Sequence, residues 1–235
     1  MAKGSVFGGI WAACLLVLVS MTVSCQSENE STQKPSPAQA AKAEPGDPLL
    51  SPALANETAP EQFRVRFVTS KGDFVMEATR SLSPQGVDRL YNLVRIGYFT
   101  DVAFFRVLDG FMAQFGIHGD PAVSARWRTA TLKDEPVRES NVRGMVSYAM
   151  GGANSRSTQY FINYADNSNL DAMGFSPIGK VVEGMDVVES LYSEYGEGAP
   201  RGRGPDQSKI QSMGNAYLKA EFPQLDYILK AELLK

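Results

Sequence analysis

Two polar side chains interrupt an apolar run in "FFRVLDGFMAQFG", residues 104–116: the guanidinium of Arg106 and the amide of Gln114. Strand arginines ordinarily lie on the wet face with their stems over apolar neighbours, and charged groups are seldom buried unless paired. Strand alternation predicts Met112 and Gln114 on one face and Phe111, Ala113 and Phe115 on the other. An apolar floor with one cation and one amide has the make-up of a small-ligand pocket. Arg106 brings a permanent charge with donors in a fixed plane. Other chemistries are poorly supplied. His118 is the single histidine, and the two cysteines, Cys14 and Cys25, both fall in the first 25 residues. The folded part therefore has neither an internal disulfide nor the donors of a thiolate or multi-histidine metal site. No metal and no cofactor is expected. His118 in "GIHGDP" has no partner nucleophile or second ligand and reads as a loop or packing residue, with Asp120-Pro121 after it as a turn.

The elements that must position Arg106 and Gln114 are mostly strands. "QFRVRFVTSKGDFVMEAT" alternates on a period of two around a turn at 71–73 and predicts a hairpin. "SPQGVDRLYNLVRIGYF" reads as a helix capped near Ser83, with Pro84 in its first turn and Gly97 as its stop. Residues 102–106 and 111–115 are strand-like about Gly110. "GMVSYAM", "QYFINYA" and "FSPIGKVV" are three further strands. "EGMDVVESLYSEY" predicts a second amphipathic helix with Met185, Val188 and Tyr192 on one side. A helix or turn near 215–222 precedes a closing strand in "YILKAELLK". The count argues for an α+β domain or a barrel capped by helices, and about 175 residues suffice for one sizeable core.

These motifs resemble the cyclophilin-type peptidyl-prolyl cis/trans isomerases. "FFRVLDGFMAQFG" is similar to that family's signature, roughly F-[HFY]-R-x-[IVL]-x-x-F-[MVI]-x-Q-x-G. "GMVSYAMGGANSRSTQYFINYADNSNLDAMGFSPIGKVVEGMDVV" is similar to its second half, including the small-residue loop, the Gln-aromatic-Phe-Ile strand and the Leu-Asp pair. The resemblance runs from about Phe63 to Tyr192. It implies a closed, antiparallel, eight-stranded β-barrel capped by two or three α-helices, formed by residues 61–235. It also implies that Arg106 and Gln114 are catalytic. Phe111, Met112, Phe161 and Leu170 match the proline-ring pocket, while Ala149 and Met150 match positions whose backbone holds the substrate chain. Gln159 and Phe175 complete the implied substrate-binding set, and the implied partners are proline-containing segments of unfolded or exported proteins. Four places depart from the family pattern, one of them 172–175, where the chain is a residue longer near the family's pocket histidine and Phe175 is expected to fill that wall. Phe105 replaces a histidine, as in many bacterial members. Met150 replaces an asparagine, so only its main-chain contact carries over. Asn169 stands where a tryptophan supports cyclosporin binding, so sensitivity to that inhibitor is not implied.

The first 60 residues read differently. Lys3, an apolar run to Ser24 and small residues before a break make a secretory leader, 1–24. "TVSC" resembles the lipobox of bacterial lipoproteins, which implies lipidation at Cys25 and a position outside the cytoplasm, tethered to a membrane. The other reading is an uncleaved anchor, since residues 5–24 are 20 uncharged positions and ~20 apolar residues span a bilayer. Residues 25–60 are rich in Ser, Pro, Ala, Glu and Gln and hold six of the 13 prolines. Such a segment buries too little apolar surface to offset its ordering entropy and reads as a disordered tether. A net charge of −3 gives no footprint for nucleic acid, and "RGRG" at 201–204 reads as a plain loop. "GGANSRST" lacks the lysine and the context of a phosphate loop. A monomer is expected. Two functions remain open: an isomerase acting on exported proteins, and a proline-binding module or holdase that keeps the fold with little turnover.

Overall fold

The computed structural model describes residues 46–235, so the expected leader, Cys14, Cys25 and the expected tether up to residue 45 lie outside the described residues. Eight strands close into an antiparallel barrel: β1 (Gln62–Thr69), β2 (Gly72–Thr79), β3 (Val102–Leu108), β4 (Met112–Phe115), β5 (Met145–Tyr148), β6 (Tyr160–Asn163), β7 (Pro177–Glu183) and β8 (Tyr227–Leu234). Their order around the barrel is β1-β2-β7-β5-β6-β4-β3-β8. The expected hairpin is β1–β2, paired from Gln62↔Thr79 to Thr69↔Gly72. Alternation along β1 sends Val65 and Phe67 inward and leaves Arg64 and Arg66 in water. Inside, Phe67, Phe74, Phe99, Phe115 and Tyr160 pack ring against ring, and closure removes the exposed strand edges that would invite aggregation. The expected barrel is therefore the one observed.

Helix α1 (Pro84–Arg95) lays Val87, Leu90, Leu93 and Val94 on this core. Three shorter expectations need correction. Asp120-Pro121 is not a turn but the start of α2 (Pro121–Trp127): the Asp120 carboxylate accepts from the Ala122 N–H, and Pro121 occupies the first turn. That is the ordinary chemistry of an N-cap, read too cautiously. Helix α3 (Met185–Glu189) lasts five residues and does not reach Tyr192. The backbone N–H of Tyr192 donates instead to buried Asp226 (2.8 Å), and its ring meets Tyr195. Helix α4 (Gln207–Glu221) begins eight residues before the expected 215, capped by Asp206 and broken at Gly214, which has non-helical angles.

Residues 49–59, expected to belong to a disordered tether, pack on the domain instead. Leu49 and Leu50 pack on the barrel core, and the indole N–H of Trp127 donates to the Leu49 carbonyl (2.8 Å). Asn92 exchanges two hydrogen bonds with the Glu57 backbone (3.0 and 2.7 Å), and buried Ala59 donates to Asp88 (2.9 Å). The average composition of 25–60 hides two leucines, while the buried indole and amide of the domain need these backbone partners. Among the described residues, no helix is long and apolar enough to cross a membrane.

Candidate active site

The question raised by Arg106 is answered by an irregularity in β3. Phe104 pairs with Phe115 of β4, yet Arg106 pairs with Gln114, so Phe105 is an extra residue on the β3 side. A β-bulge of this kind re-aims side chains. Phe104 and Val107 stay in the barrel interior. Phe105 turns to a second, outer cluster with Ile210, Tyr217, Leu218 and Phe222 of the C-terminal segment. Arg106 joins Gln114 on the outer wall. In turn Gln114 pairs with Phe161 of β6, so Arg106, Gln114 and Phe161 form one row across three neighbouring strands.

That row faces a cavity of about 570 Å³ lined by Arg106, Phe111, Met112, Gln114, Ala149, Met150, Gln159, Phe161, Leu170 and Phe175. Every residue of the described chain expected at the site from its sequence is therefore brought to one place. Met112, Phe161 and Leu170 form a small buried cluster separate from the barrel core, with Phe111 and Phe175 against it. Phe111 corrects the expectation of strand alternation. It precedes the first residue of β4, after a turn in which Gly110 has φ 68°, a value that favours glycine. It therefore sits with Met112 in the pocket rather than with Phe115 inside. Its carbonyl is held by the Tyr164 N–H and the Asn167 amide, both at 2.9 Å.

The walls come from loops that buried polar groups fix. Leu170 lies in a 3₁₀ turn, Ser168–Met173, anchored where Asp171 accepts from the Ser140 hydroxyl and the Asn141 N–H and amide. Burial pushes the Asp171 carboxyl up, but these three donors outweigh it and hold the group below its ordinary range. The opposite wall, 149–159, is tied down by Arg156, almost wholly buried. Arg156 donates to Ser83, to the Lys133 carbonyl and to Glu135. Glu135 also accepts from Ser83 and from the first N–H groups of α1 at Gln85 and Gly86. Burial raises its carboxyl, and these bonds more than reverse that.

A hydrogen-bond chain runs through the polar side of the cavity. Gln159 Oε1 accepts from Gln114 Nε2 (2.9 Å), and Gln114 Oε1 accepts from Arg106 Nη1 (3.1 Å). Arg106 Nε and Nη2 donate to the two oxygens of Glu197, at 2.8 and 2.7 Å. The guanidinium also lies 6.0 Å from the Phe111 ring centre. Glu197, Arg201, Gln207, Met173, Ser155 and Ser157 line the cavity as well and were missed from the sequence. Glu197 is 91 positions from Arg106, and its only local signal is a lone acid between two glycines. His118 is buried away from the cavity, its Nδ1 accepting from the Asp120 N–H (2.9 Å) and its ring against Tyr98, which is the packing role expected.

Fold and site together define a barrel with an arginine-bearing apolar groove on its outer wall. Residues 64–215 match the family model described as cyclophilin type peptidyl-prolyl cis-trans isomerase/CLD, and the chain belongs to that family. It is 31% identical over 136 residues to peptidyl-prolyl cis-trans isomerase B of Escherichia coli K12, covering 54% of this chain and 82% of that one. A probable peptidyl-prolyl cis-trans isomerase of Brucella abortus is 37% identical over 131 residues, 51% of this chain and 66% of its own length. The fold is that of a cyclophilin type isomerase of Cryptosporidium parvum, with TM-score 0.53 and 21% identity over 74% of this chain and 98% of that one. That protein has also been solved in the presence of the dipeptide Ala-Pro.

Proposed function

We propose that the domain catalyses cis/trans isomerisation of X–Pro peptide bonds, with Arg106 as the group that lowers the barrier. The observation that carries this reading is the placement of the Arg106 guanidinium, beside the Gln114 amide, in a cavity whose apolar wall is Met112, Phe161 and Leu170. The peptide bond owes its ~18–20 kcal/mol barrier to resonance between nitrogen and carbonyl. Twisting an X–Pro bond breaks that resonance and returns the lone pair to nitrogen. An N–H of Arg106 aimed at that nitrogen gains strength only in the twisted state, and only such differential contacts accelerate a reaction. Gln114 orients the guanidinium and is within reach of a substrate carbonyl. Met112, Phe161 and Leu170 hold the ring, with Phe111 and Phe175 beside it. Backbone groups at Ala149 and Met150, with Gln159 at the end of the hydrogen-bond chain, hold the flanking peptide. No proton need be moved, no covalent bond made, and no metal is invoked. Family relatives that bear the isomerase name, and the solved relative prepared with Ala-Pro, support this assignment.

The test is exchange NMR on a short X–Pro peptide with the full chain in detergent and with Arg106→Ala beside it. Fast exchange that collapses in the variant, with the fold kept, is the expected result. No acceleration by the parent chain overturns the catalytic reading in favour of a proline-binding holdase.

The working site follows from the leader. The chain is exported and held at a membrane through a lipid on Cys25, where it acts on proline segments of exported proteins during folding, since uncatalysed exchange takes tens to hundreds of seconds. Palmitate labelling in a bacterial host that is lost in Cys25→Ala checks the tether. Labelling that persists in the variant sinks it.

A further inference from the structure

The loop between α3 and α4 is a feature that isomerase chemistry does not by itself require. It is closed on itself: the Gly204 N–H donates to the Glu197 carbonyl (2.8 Å), Ala199 to Gly204 (3.2 Å), and Arg201 and Gly202 to Gly198 (3.2 and 3.1 Å). Side chains would prevent this closure. A Cβ on Gly202 would fall 2.1 Å from the Glu197 carbonyl oxygen, and one on Gly204 would crowd the carbonyls of Tyr195, Gly196 and Glu197 at 2.9 to 3.1 Å. The glycines of "RGRG" are thus what lets the loop fold back on Glu197.

At its base the loop is anchored by aromatic packing. Tyr195 meets Tyr192 and Phe222 edge to face, both at 5.0 Å. It packs against the same outer cluster that contains Phe105. The bulge residue Phe105 and its neighbour Arg106 therefore each hold one part of the C-terminal segment, Phe105 the helix and Arg106 the loop. At the tip, the Glu197 carboxylate accepts from Arg106 Nε and Nη2 and from the Gly198 N–H (3.0 Å).

A guanidinium has five N–H donors. Glu197 occupies two of them and Gln114 a third; Nη1 also lies 3.8 Å from the weak acceptor Met112 Sδ, so one N–H on Nη2 has no partner and one on Nη1 is held only weakly. Arg106 is 20% exposed and Glu197 31%, so the pair is accessible from the cavity.

We infer that Glu197 is a positioning residue for Arg106: its two-point grip fixes the guanidinium plane so that the remaining N–H groups meet the nitrogen of the twisted X–Pro bond. The inference rests on the isomerase reading of the same pocket. A free arginine side chain samples many rotamers, and a clamp on both Nε and Nη2 removes rotation about the last bonds before substrate arrives. The hydrogen bonds from Arg106, with its charge, outweigh burial and hold the Glu197 carboxyl below its ordinary range, so the clamp stays ionised at neutral pH.

The test compares the full chain with Glu197→Ala, Glu197→Gln and Arg106→Ala by exchange NMR and by the ¹⁵N–¹Hε signal of Arg106, identified by its loss in Arg106→Ala. Glu197→Ala is expected to lower kcat about tenfold, the kind of loss that misplacement of a catalytic group produces, with KM within about twofold. It should also lose the sharp, water-protected Hε signal. Glu197→Gln keeps one acceptor oxygen in place and should recover part of both. A loop with only a structural role would lower the melting temperature and leave kcat and the Hε signal alone, which overturns the inference. A rise in kcat in Glu197→Ala overturns it as well, because the carboxylate would then be shielding the guanidinium. A parent chain without activity overturns the isomerase reading and this role together. An active parent that needs Arg106 but ignores Glu197 overturns this role alone.

Discussion

Of two arginine–glutamate pairs, one lines the pocket and the other lies outside its lining, and their surroundings make them different devices. Arg156 and Glu135 are 1% and 9% exposed, while Arg106 and Glu197 are 20% and 31% exposed. The buried pair is surrounded by further bonds from Ser83, Gln85 and Gly86, and its guanidinium sits 5.1 Å from the Tyr148 ring centre. It joins the start of α1 to the 149–159 wall and offers nothing to a ligand. The half-buried pair has its guanidinium on the wall of the open cavity, with Nη2 keeping one N–H unpaired. A charge becomes an architectural part when water is excluded and all its neighbours belong to the chain, and it becomes a reagent when one side is left open. Desolvation explains the difference: removing one partner strands a buried charge, whereas an exposed survivor is rehydrated.

The largest effect expected from this contrast is at the buried pair. Glu135→Ala should cost about 3–5 kcal/mol of stability, the usual range for stranding a buried partner, read from urea unfolding midpoints. A loss below about 1 kcal/mol, as for an exposed pair, would show that the two sites are not different in kind.

Arg106→Ala should do the converse. Isomerisation should fall about 10²–10³-fold, the range seen when a transition-state donor is removed, while the urea midpoint barely moves. A large stability loss would mean that Arg106 is structural.

Leu170→Ala should affect binding more than turnover. Opening one wall of the ring pocket is worth about tenfold in KM for an X–Pro peptide, with kcat nearly retained, and an unchanged KM would move the ring elsewhere in the groove.

The smallest effect expected is with pH. Both glutamates are depressed below the ordinary value in the folded chain. The unfolded chain therefore binds these protons first as pH falls. Their stabilising contribution is complete above the ordinary glutamate range of about 4.3 and is lost as pH drops through the lower, folded values. Unfolding midpoints at about pH 6 and about pH 3 should converge more in Glu135→Gln than in Glu197→Gln, because water already screens the exposed pair. An equal flattening in both would again erase the distinction.

Much of this was legible in the sequence, for particular reasons. Val65 and Phe67 show their inward face because a strand has a period of two. Pro84 and Gly97 mark the ends of α1 because one lacks an N–H and the other tolerates a stop. The pocket set from Arg106 to Phe175 was legible through several separated motifs in order, each within a local window. Where reading failed, apart from the caps at Asp120 and Asp206, which are local, the deciding partner lay elsewhere in the chain. Phe111 leaves the strand face because the turn at Gly110 and two donors from 164 and 167 place it. Tyr192 leaves its helix because Asp226 takes its N–H. Leu49 and Leu50 disappear into a proline-rich average until Trp127 and the barrel core give them a place.

Local signals sufficed for the eight strands, the start of α1, the family and the apolar side chains of the pocket, because periodicity, capping and motif spacing survive in one dimension. Tertiary structure alone decided that Phe105 is a bulge, that Arg106 therefore points out of the barrel, and that Glu197 meets it from 91 positions away. A bulge is a mismatch between two strands, and an ion pair is a distance between two side chains. Neither exists until the chain has closed on itself.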